Sequence, residues 1–334
     1  MTRAQLTTNE GMLLYSAALL LGFLVLFKSA DYFVIGSVAT ATNLKISPMI
    51  IGLTVVALGT SAPEIFVSAA ASLRGESELA VGNAIGSNIA NIGMVLGITA
   101  VLVPLPFRPE ILKRDMPILI FVTLCAGAAL IDYKLGMWDG LLLLAGLVVF
   151  LWRIAAEHYG NKDDPVIEEL AEIEEVPPMT TPRSLVMLLL SLLFLLMSAE
   201  LLVWAVTEIA KTMGVSELVI GLTVVAVGTS LPELVVSVTS ALKNQTDLAI
   251  GNIIGSNIFN ILAVLAIPCM LSPTQFTPEL LWRDYGTMLG MTLLLVAYAF
   301  SFLGRGKITR IEGATLILAW AAYLFMLYRT SVHH

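Results

Sequence analysis

Long apolar stretches alternate with short polar ones along almost the whole chain. The apolar runs fall approximately at residues 12–40, 48–73, 78–103, 115–132 and 137–155, and again at 184–210, 217–242, 247–271, 284–303 and 308–328. Runs of about 20 residues are long enough for a helix to cross a hydrocarbon core of about 30 Å. The pattern predicts an all-α membrane protein with ten transmembrane helices, five on each side of a polar linker.

The second set of runs repeats the first. The stretch GLTVVALGTSAPE at Gly52–Glu64 returns as GLTVVAVGTSLPE at Gly221–Glu233, a shift of 169 residues. The same shift aligns GNAIGSNIAN at 82–91 with GNIIGSNIFN at 251–260. This extent of self-similarity indicates an internal duplication. Because each copy has an odd number of spans, the second must enter the membrane from the opposite side, which predicts inverted repeats typical of secondary transporters.

The polar stretch between the two copies is acidic. Residues 157–175 carry eight carboxylates, and the sequence EEVPPMTTPRS that ends the stretch cannot continue a membrane helix. We therefore divide the chain into a first five-helix repeat at 1–156, an acidic linker at 157–183 and a second five-helix repeat at 184–334. We interpret the linker as a solvated connection; a cation-attracting patch is the alternative.

Basic residues in the loops predict the orientation, since Lys and Arg accumulate on the cytoplasmic side. With the N-terminus outside, the inner loops hold eleven basic residues and the outer segments hold six. This bias favours an inner (plasma) membrane protein with both termini outside and the acidic linker in the cytoplasm.

Composition agrees with a membrane protein and argues against several other classes. The chain has 334 residues, of which 57% are hydrophobic and 13% charged; soluble domains carry about a quarter charged residues. It contains no GxxxxGK[ST] loop, so we do not expect ATP as the energy source. It also lacks the HExxH and GxSxG motifs of common hydrolases. We expect no enzyme activity, no catalytic residues, no bound cofactor and no nucleic-acid partner.

The repeated stretch places a helix breaker and an acid inside an apolar run. Pro63 has no N–H and crowds the carbonyl of Gly59, so we expect the helix to break there. Free backbone carbonyls at membrane depth survive only where protein, water or an ion meets them. Glu64 follows this break directly, and Glu233 follows Pro232 in the second copy in the same way.

Two acids in the membrane need a neutralising partner, because a charged carboxylate there costs at least a few kcal/mol. Either they are protonated or they share a cation. Carboxylates, hydroxyls, carbonyls and amide oxygens are the ligands of a hard cation such as Ca²⁺. Sulfur and imidazole, which transition metals favour, are absent from these stretches. Further oxygen donors repeat in both copies: Thr60, Ser87 and Asn91 in the first, and Thr229, Ser256 and Asn260 in the second.

Another pair of acids also matches between the copies. Asp31 aligns with Glu200, and both lie toward the ends of the long first span of their copy. We interpret them as helix-end or packing residues. Lys28 has Met197 as its counterpart, and we expect it either to snorkel to the interface or to pair with Asp31.

The motifs GTSAPE and GNAIGSNIAN, with their second copies, resemble those of the cation/Ca²⁺ exchanger superfamily, most of all the prokaryotic sodium/calcium exchangers. The resemblance covers nearly the whole chain. It implies a Ca²⁺ site made by the carboxylates of Glu64 and Glu233 and the backbone carbonyls of Thr60 and Thr229. It implies flanking Na⁺ sites, with Asn91 lining the middle. The ligands of those sites would be the carbonyls of Ala57 and Ala226 and the side-chain oxygens of Ser61, Ser230, Ser87 and Ser256.

The resemblance also implies a mechanism. The first and sixth helices, near 12–40 and 184–210, would slide together and expose the ions to alternate sides of the membrane. In one position the chain departs from the family pattern: well-characterised members often have aspartate where Asn260 stands. The central acids then number two, which balance one Ca²⁺ or two Na⁺ rather than the three Na⁺ that the family couples to each Ca²⁺.

The sequence therefore predicts an antiporter that exchanges Na⁺ for Ca²⁺ by alternating access in a lipid bilayer. Two alternatives remain open. The first is a Ca²⁺/H⁺ antiporter on the same fold, because paired acids can carry protons. The second, from another functional class, is a cation channel. The oligomeric state is not predicted.

Overall fold

The computed structural model describes residues 3–109, 111–160, 179–213, 226–300 and 306–332, and these residues are almost entirely helical. The first five spans comprise the helices Arg3–Leu44, Pro48–Thr60 with Ala62–Leu73, Ser77–Leu102, Ile111–Asp115 with Met116–Leu130, and Met137–Gly160. The second five comprise Thr181–Thr212, Ala226–Thr229 with Leu231–Leu242, Thr246–Leu271, Leu280–Tyr285 with Gly286–Phe300, and Arg310–Val332.

The protein is an all-α membrane protein of ten spans in two inverted five-helix repeats. Within the described residues, six helices are long and apolar enough to cross a membrane by themselves, and the bent pair Pro48–Thr60 and Ala62–Leu73 adds a seventh. The fourth and ninth spans are each completed by a π-helical segment at their start. Of the predicted seventh span, residues 217–225 lie outside the described residues, as does linker segment 161–178.

Two short β-ribbons join the repeats and fit the inverted topology. Strand β1 (Leu105–Pro106) pairs with β4 (Lys307–Ile308), and β2 (Lys134–Leu135) pairs with β3 (Thr274–Gln275), both antiparallel. The first ribbon joins the loop after the third span to the loop after the ninth. The second joins the loops after the fourth and eighth spans. In a chain that crosses the membrane at every span, the two ribbons lie on opposite sides.

The third and eighth spans form the centre of the protein. In their most apolar stretches 78% and 83% of the residues are buried, against 17% in the first span. The second span approaches the eighth so closely that only glycine fits between them. A Cβ atom on Gly251 would lie 2.7 Å from the Met49 carbonyl oxygen, and one on Gly255 would lie 2.6 Å from the Leu53 carbonyl oxygen. Small residues permit such backbone contact between membrane helices.

The first and sixth spans pack on each other as a separate antiparallel pair. Gly22 of the first span faces Leu202 of the sixth. Fourteen residues later in the first span, Gly36 lies against the backbone of Leu188, which is fourteen residues earlier in the sixth span. Their shared apolar residues belong to a smaller cluster that is distinct from the large core of the other spans. This pair meets the core mainly through apolar contacts with the second, seventh and eighth spans.

Asp31 has a different partner from either expectation for this region. Its carboxylate pairs with Lys243 Nζ at 3.3 Å, and Lys243 stands in the turn between the seventh and eighth spans. Asp31 therefore does more than the helix-end or packing role expected for it, because its carboxylate links the first span to the second repeat. Sequence spacing offered only Lys28, one helical turn away, as a basic neighbour.

We predict that Gly251→Ala lowers the thermal unfolding midpoint, whereas Gly290→Ala does not. The new methyl group at 251 would collide with backbone atoms of Met49 and Gly52, which cannot rotate away; overpacking of this kind costs about 1–3 kcal/mol. At 290 no described atom lies within 4 Å of the added Cβ, and alanine is the better helix former. Thermal unfolding of both variants in detergent measures the difference, and equal midpoints would contradict the close packing.

Candidate cation-binding site

The second span is interrupted where its sequence reads GTSAPE. One helix ends at Thr60, the next begins at Ala62, and Ser61 between them has φ −81° and ψ 9°. The two halves meet at an angle of 42°. Pro63 lies in the first turn of the second half, where its missing N–H removes no intrahelical hydrogen bond. The expected break is thus confirmed.

The seventh span has the same interruption. A helix ends at Thr229, Ser230 has φ −90° and ψ 8°, and a new helix begins at Leu231 with Pro232 in its first turn. The last carbonyls of a half-helix lie beside each break, and the Ala57 carbonyl accepts a hydrogen bond from the Ser61 N–H at 3.0 Å. These carbonyls carry the negative end of the helix dipole, which attracts cations.

Glu64 and Glu233 each occupy the first turn after a break, and both are buried, at 0% and 1% exposure. The two carboxylates lie close enough to interact with each other. The Ser61 hydroxyl donates to Glu233 Oε1 at 3.0 Å, a contact that joins the two repeats. A buried charge is unfavourable unless it is paired, so two adjacent carboxylates favour a cation between them.

Unpaired buried oxygens concentrate at this point. Thirteen buried side-chain nitrogen and oxygen atoms have no hydrogen-bond partner among the described residues, and nine of them belong to the predicted ligand set. Native proteins rarely leave such atoms without a partner. The nine are Glu64 Oε1 and Oε2, Glu233 Oε2, Ser230 Oγ, Ser256 Oγ, and both amide atoms of Asn91 and Asn260.

The third and eighth spans contribute donors from opposite repeats. Ser87 lies beside the Glu64 carboxylate, and Ser256 beside that of Glu233. Asn91 and Asn260 are completely buried, and each is the first residue of a π-helical segment, Asn91–Leu96 and Asn260–Val264. Such π-bulges in membrane and soluble helices are frequent at functional sites.

The remaining predicted ligands lie in the half-helices before the breaks. Ala57 and Thr60 are buried in the helix Ala57–Thr60, and Thr229 is half-buried in Ala226–Thr229. Ala226 is the first residue of that helix, and its side chain lies outside the described part of the structure. That the carbonyls of these four residues bind ions stays a prediction.

Two further asparagines, half-buried Asn83 and buried Asn252, lie behind the site and contact the residues that form it. Asn83 Nδ2 donates to the Glu64 carbonyl at 3.1 Å and to Ser68 Oγ at 3.0 Å. Asn252 Nδ2 donates to the Glu233 carbonyl at 3.4 Å and to Ser237 at 3.0 Å. Both asparagines were detectable, since they stand second in the two copies of the GNxIGSNIxN motif.

Asn252 also connects the repeats. Its Oδ1 accepts a hydrogen bond from the Thr60 hydroxyl at 3.1 Å, so one side chain holds the end of one half-helix and the start of another. Asn252 is completely buried. It therefore fixes Thr60 of the first repeat relative to Glu233 of the second.

The charge at the site comes from two carboxylates. Among the described residues there is no group of three or more His, Cys, Asp or Glu side chains that could hold a metal ion. The donor set is otherwise neutral oxygen from serine, threonine, asparagine and backbone. It suits a hard cation with a charge of two, or two monovalent cations.

Comparison with known proteins gives consistent matches along the chain. The family described as "Sodium/calcium exchanger protein" matches residues 14–155 and 183–329. CaxA of Alkalimonas amylolytica, whose name describes it as an antiporter, is 45% identical over 95% of this chain and 99% of its own length. The sodium/calcium exchanger MaX1 of Methanosarcina acetivorans is 32% identical over 93% of this chain and 97% of its own.

A solved structure has the same architecture. The sodium-calcium exchanger NCX_Mj, soaked without Na⁺ and Ca²⁺, superimposes with a TM-score of 0.79 at 33% sequence identity. The match covers 95% of this chain and 99% of that one. Crystals of the same exchanger soaked with 2.5 mM Na⁺ and 0.1 mM Ca²⁺ match with a TM-score of 0.78.

We predict that Glu64→Gln and Glu233→Gln each weaken Ca²⁺ binding at least a hundredfold. Glutamine keeps the shape of the side chain but removes a charge, and loss of one partner from a buried ionic group costs about 3–5 kcal/mol. Calorimetric titration of Ca²⁺ into the purified protein measures the effect. Glu208→Gln is the control, since Glu208 forms an ion pair with Lys211 on the surface of the sixth span. Native-like Ca²⁺ affinity in either site variant would refute the assignment.

We further predict that Asn252→Ala weakens Ca²⁺ binding by about tenfold to a hundredfold, the usual effect of losing a residue that orients metal ligands. The matched control is Asn257→Ala. Asn257 is equally buried in the same helix, but its amide donates within that helix, to Ile253. Equal losses of affinity in the two variants, measured in the same titration, would reduce the role of Asn252 to general packing.

Proposed function

Because this chain belongs to the sodium/calcium exchanger family, we propose that it is a secondary antiporter that exchanges Na⁺ for Ca²⁺ across the membrane. The family and fold are those of transporters rather than catalytic enzymes. The observation that carries the proposal is the pair Glu64 and Glu233, one from each inverted repeat, buried together with unpaired oxygens.

The proposed Ca²⁺ site uses these two carboxylates with the carbonyls of Thr60 and Thr229. The proposed Na⁺ sites use the same region, so that the two ions compete for shared ligands. Two carboxylates neutralise one Ca²⁺ or two Na⁺, and a buried site of this kind favours occupants that cancel its charge. The Na⁺ sites draw on the carbonyls of Ala57 and Ala226, the hydroxyls of Ser61, Ser230, Ser87 and Ser256, and the amide oxygens of Asn91 and Asn260.

Alternating access in this proposal comes from movement of the first and sixth spans against the other eight. The apolar cluster of this pair is distinct from the large core and takes in five buried residues of the other spans, a limited contact that is consistent with a body that slides. The five are Ile51, Val56, Val235, Val236 and Leu248. The half-helices before both breaks face the sixth span through glycine: Gly59 lies against Leu192 and Gly228 against Val203. Because glycine has no side chain, fewer side chains interlock between these half-helices and the sixth span when the sixth span moves.

A second candidate, Ca²⁺/H⁺ exchange on the same fold, is supported by a specific observation. Asparagine occupies both position 91 and position 260, so that the centre holds two acids. These two carboxylates can carry two protons in exchange for one Ca²⁺ without any Na⁺ ligand. The relative CaxA, named as an antiporter, is compatible with either coupling ion.

We also propose the membrane arrangement. The functional units are the repeats at 1–156 and 184–334, joined by the acidic linker at 157–183. The protein resides in the inner membrane with both termini outside and the linker in the cytoplasm, as the distribution of basic residues favours.

We predict that an outward Na⁺ gradient drives ⁴⁵Ca²⁺ uptake into proteoliposomes, while a proton gradient of equal size does not. The reason is that the hydroxyl and amide oxygens around the two acids bind Na⁺ but play no part in carrying protons. Replacement of internal Na⁺ by choline serves as the blank, and Glu64→Gln protein gives the background flux.

The two gradients separate the candidates. If Ca²⁺ uptake is independent of the Na⁺ gradient and follows the pH gradient, the protein is a Ca²⁺/H⁺ exchanger and the proposal of Na⁺ coupling is wrong. Stepwise single-channel currents in planar bilayers would contradict both forms of antiport.

A further inference from the structure

One ion pair connects the first span to the opposite repeat. Lys243 Nζ and Asp31 Oδ1 lie 3.3 Å apart, with side chains 35% and 43% exposed. Lys243 follows the helix Leu231–Leu242 and begins the turn before the eighth span. The pair therefore joins the first span, which belongs to the proposed sliding pair, to the end of the seventh span, which belongs to the core.

The duplication places charges of the same sign at the matching positions of the other repeat. The shift of 169 residues that aligns the two copies takes Asp31 to Glu200 and Arg74 to Lys243. Neither position keeps its residue type, yet each keeps its sign of charge. Lys28, by contrast, aligns with Met197. The acid of the sixth span and the base after the second span thus form a second potential ion pair, Glu200 with Arg74.

The two turns that hold the bases match in shape. Gly75 follows Arg74 with φ +78°, and Asn244 follows Lys243 with φ +59°. They come after the second and seventh spans, so the inverted topology places them on opposite sides of the membrane. An ion pair at one turn therefore ties the sliding pair toward one side, and the other ion pair would tie it toward the other.

The present structure has only one of these pairs formed in the part of the chain that it describes. Arg74 pairs instead with Glu76 at 3.4 Å in its own turn, and Glu200 is exposed. The position matching Glu76 in the second copy is Gln245, which carries no charge. Arg74 thus has a local competitor for its charge, whereas Lys243 has none at that position.

In an inverted-repeat transporter, the conformation that faces the opposite side is obtained when each repeat adopts the arrangement of the other. We infer that Asp31–Lys243 and Glu200–Arg74 are alternating latches: the first closes in the conformation seen here, and the second closes when the sliding pair has moved. This inference rests on the proposed alternating access. Competition by Glu76 weakens the second latch and biases the resting equilibrium toward the first.

The test measures which way the site faces. The apparent affinity of an ion on one face is reduced by the fraction of molecules that do not face that side. We would measure the half-saturating Ca²⁺ concentration for ⁴⁵Ca²⁺/Ca²⁺ exchange in right-side-out and in inside-out vesicles. The ratio of the two concentrations reports the equilibrium between facing states, while general damage to the site alters both concentrations together.

Asp31→Asn and Glu76→Gln should change this ratio in the same direction, because the first opens the present latch and the second frees Arg74 for the other. Glu200→Gln should change it in the opposite direction. An exposed ion pair contributes up to about 1 kcal/mol, so each change should be about twofold to fivefold. Glu208→Gln, which removes an ion pair within the sixth span itself, should leave the ratio unchanged.

The outcomes distinguish failure of the latch from failure of the transport proposal. If native protein shows no Ca²⁺/Ca²⁺ exchange, the proposed function fails and the latch fails with it. If exchange is normal but the ratio stays constant in the Asp31, Glu76 and Glu200 variants, the latch alone is overturned. A shift of the ratio in one common direction for Asp31→Asn and Glu200→Gln, or an equal shift in Glu208→Gln, would also overturn it.

Discussion

The free energy of holding two carboxylates inside a membrane protein is the constraint on which the rest of this structure depends. Glu64 and Glu233 are both buried and close enough to interact, and three of their four oxygens have no hydrogen-bond partner among the described residues. Apolar surroundings make an uncompensated charge there costly. Such a pair is stable when it is protonated or when it binds positive charge, and the proposed function uses the second state. Under the proposed function, the broken helices, the neutral oxygens and the buried asparagines place that charge between the two acids.

The inverted duplication solves the geometric part of the problem. A single broken helix offers one carboxylate and one set of carbonyls on one side of an ion. Under the proposed function, two copies in opposite orientation place such groups on two sides of the ion. Close contact at Gly251 and Gly255 brings the second span against the eighth, and the hydrogen bonds of Asn252 hold the two copies in register.

Much of this was readable from the sequence, and the reason is physical. Hydropathy predicts the ten spans, and the odd number of spans in each copy predicts that the two repeats are inverted. The chemistry of proline predicts the interruption at Ser61, and the free-energy cost of buried charge draws attention to the two acids. The π-helical segments that begin at Asn91 and Asn260 were not predicted, because one extra residue in a helical turn leaves no mark on an apolar pattern. The partner of Asp31 was missed because it is more than two hundred residues away along the chain. Asn83 and Asn252 were overlooked although their motif is duplicated, since packing roles are common for asparagine in membrane helices.

The two buried acids also explain why exchange, rather than leakage, is the reaction that such a site supports. Under the proposed mechanism, the apolar pair formed by the first and sixth spans must slide past the carboxylates between facing states. With both acids ionised and no cation bound, that passage would bring apolar surface over two bare charges, which raises its free energy. A bound Ca²⁺, or two Na⁺ in its place, cancels the charge and lowers this barrier. Movement of the sliding pair is then permitted only when the site is loaded, and each crossing of one ion requires the return of another.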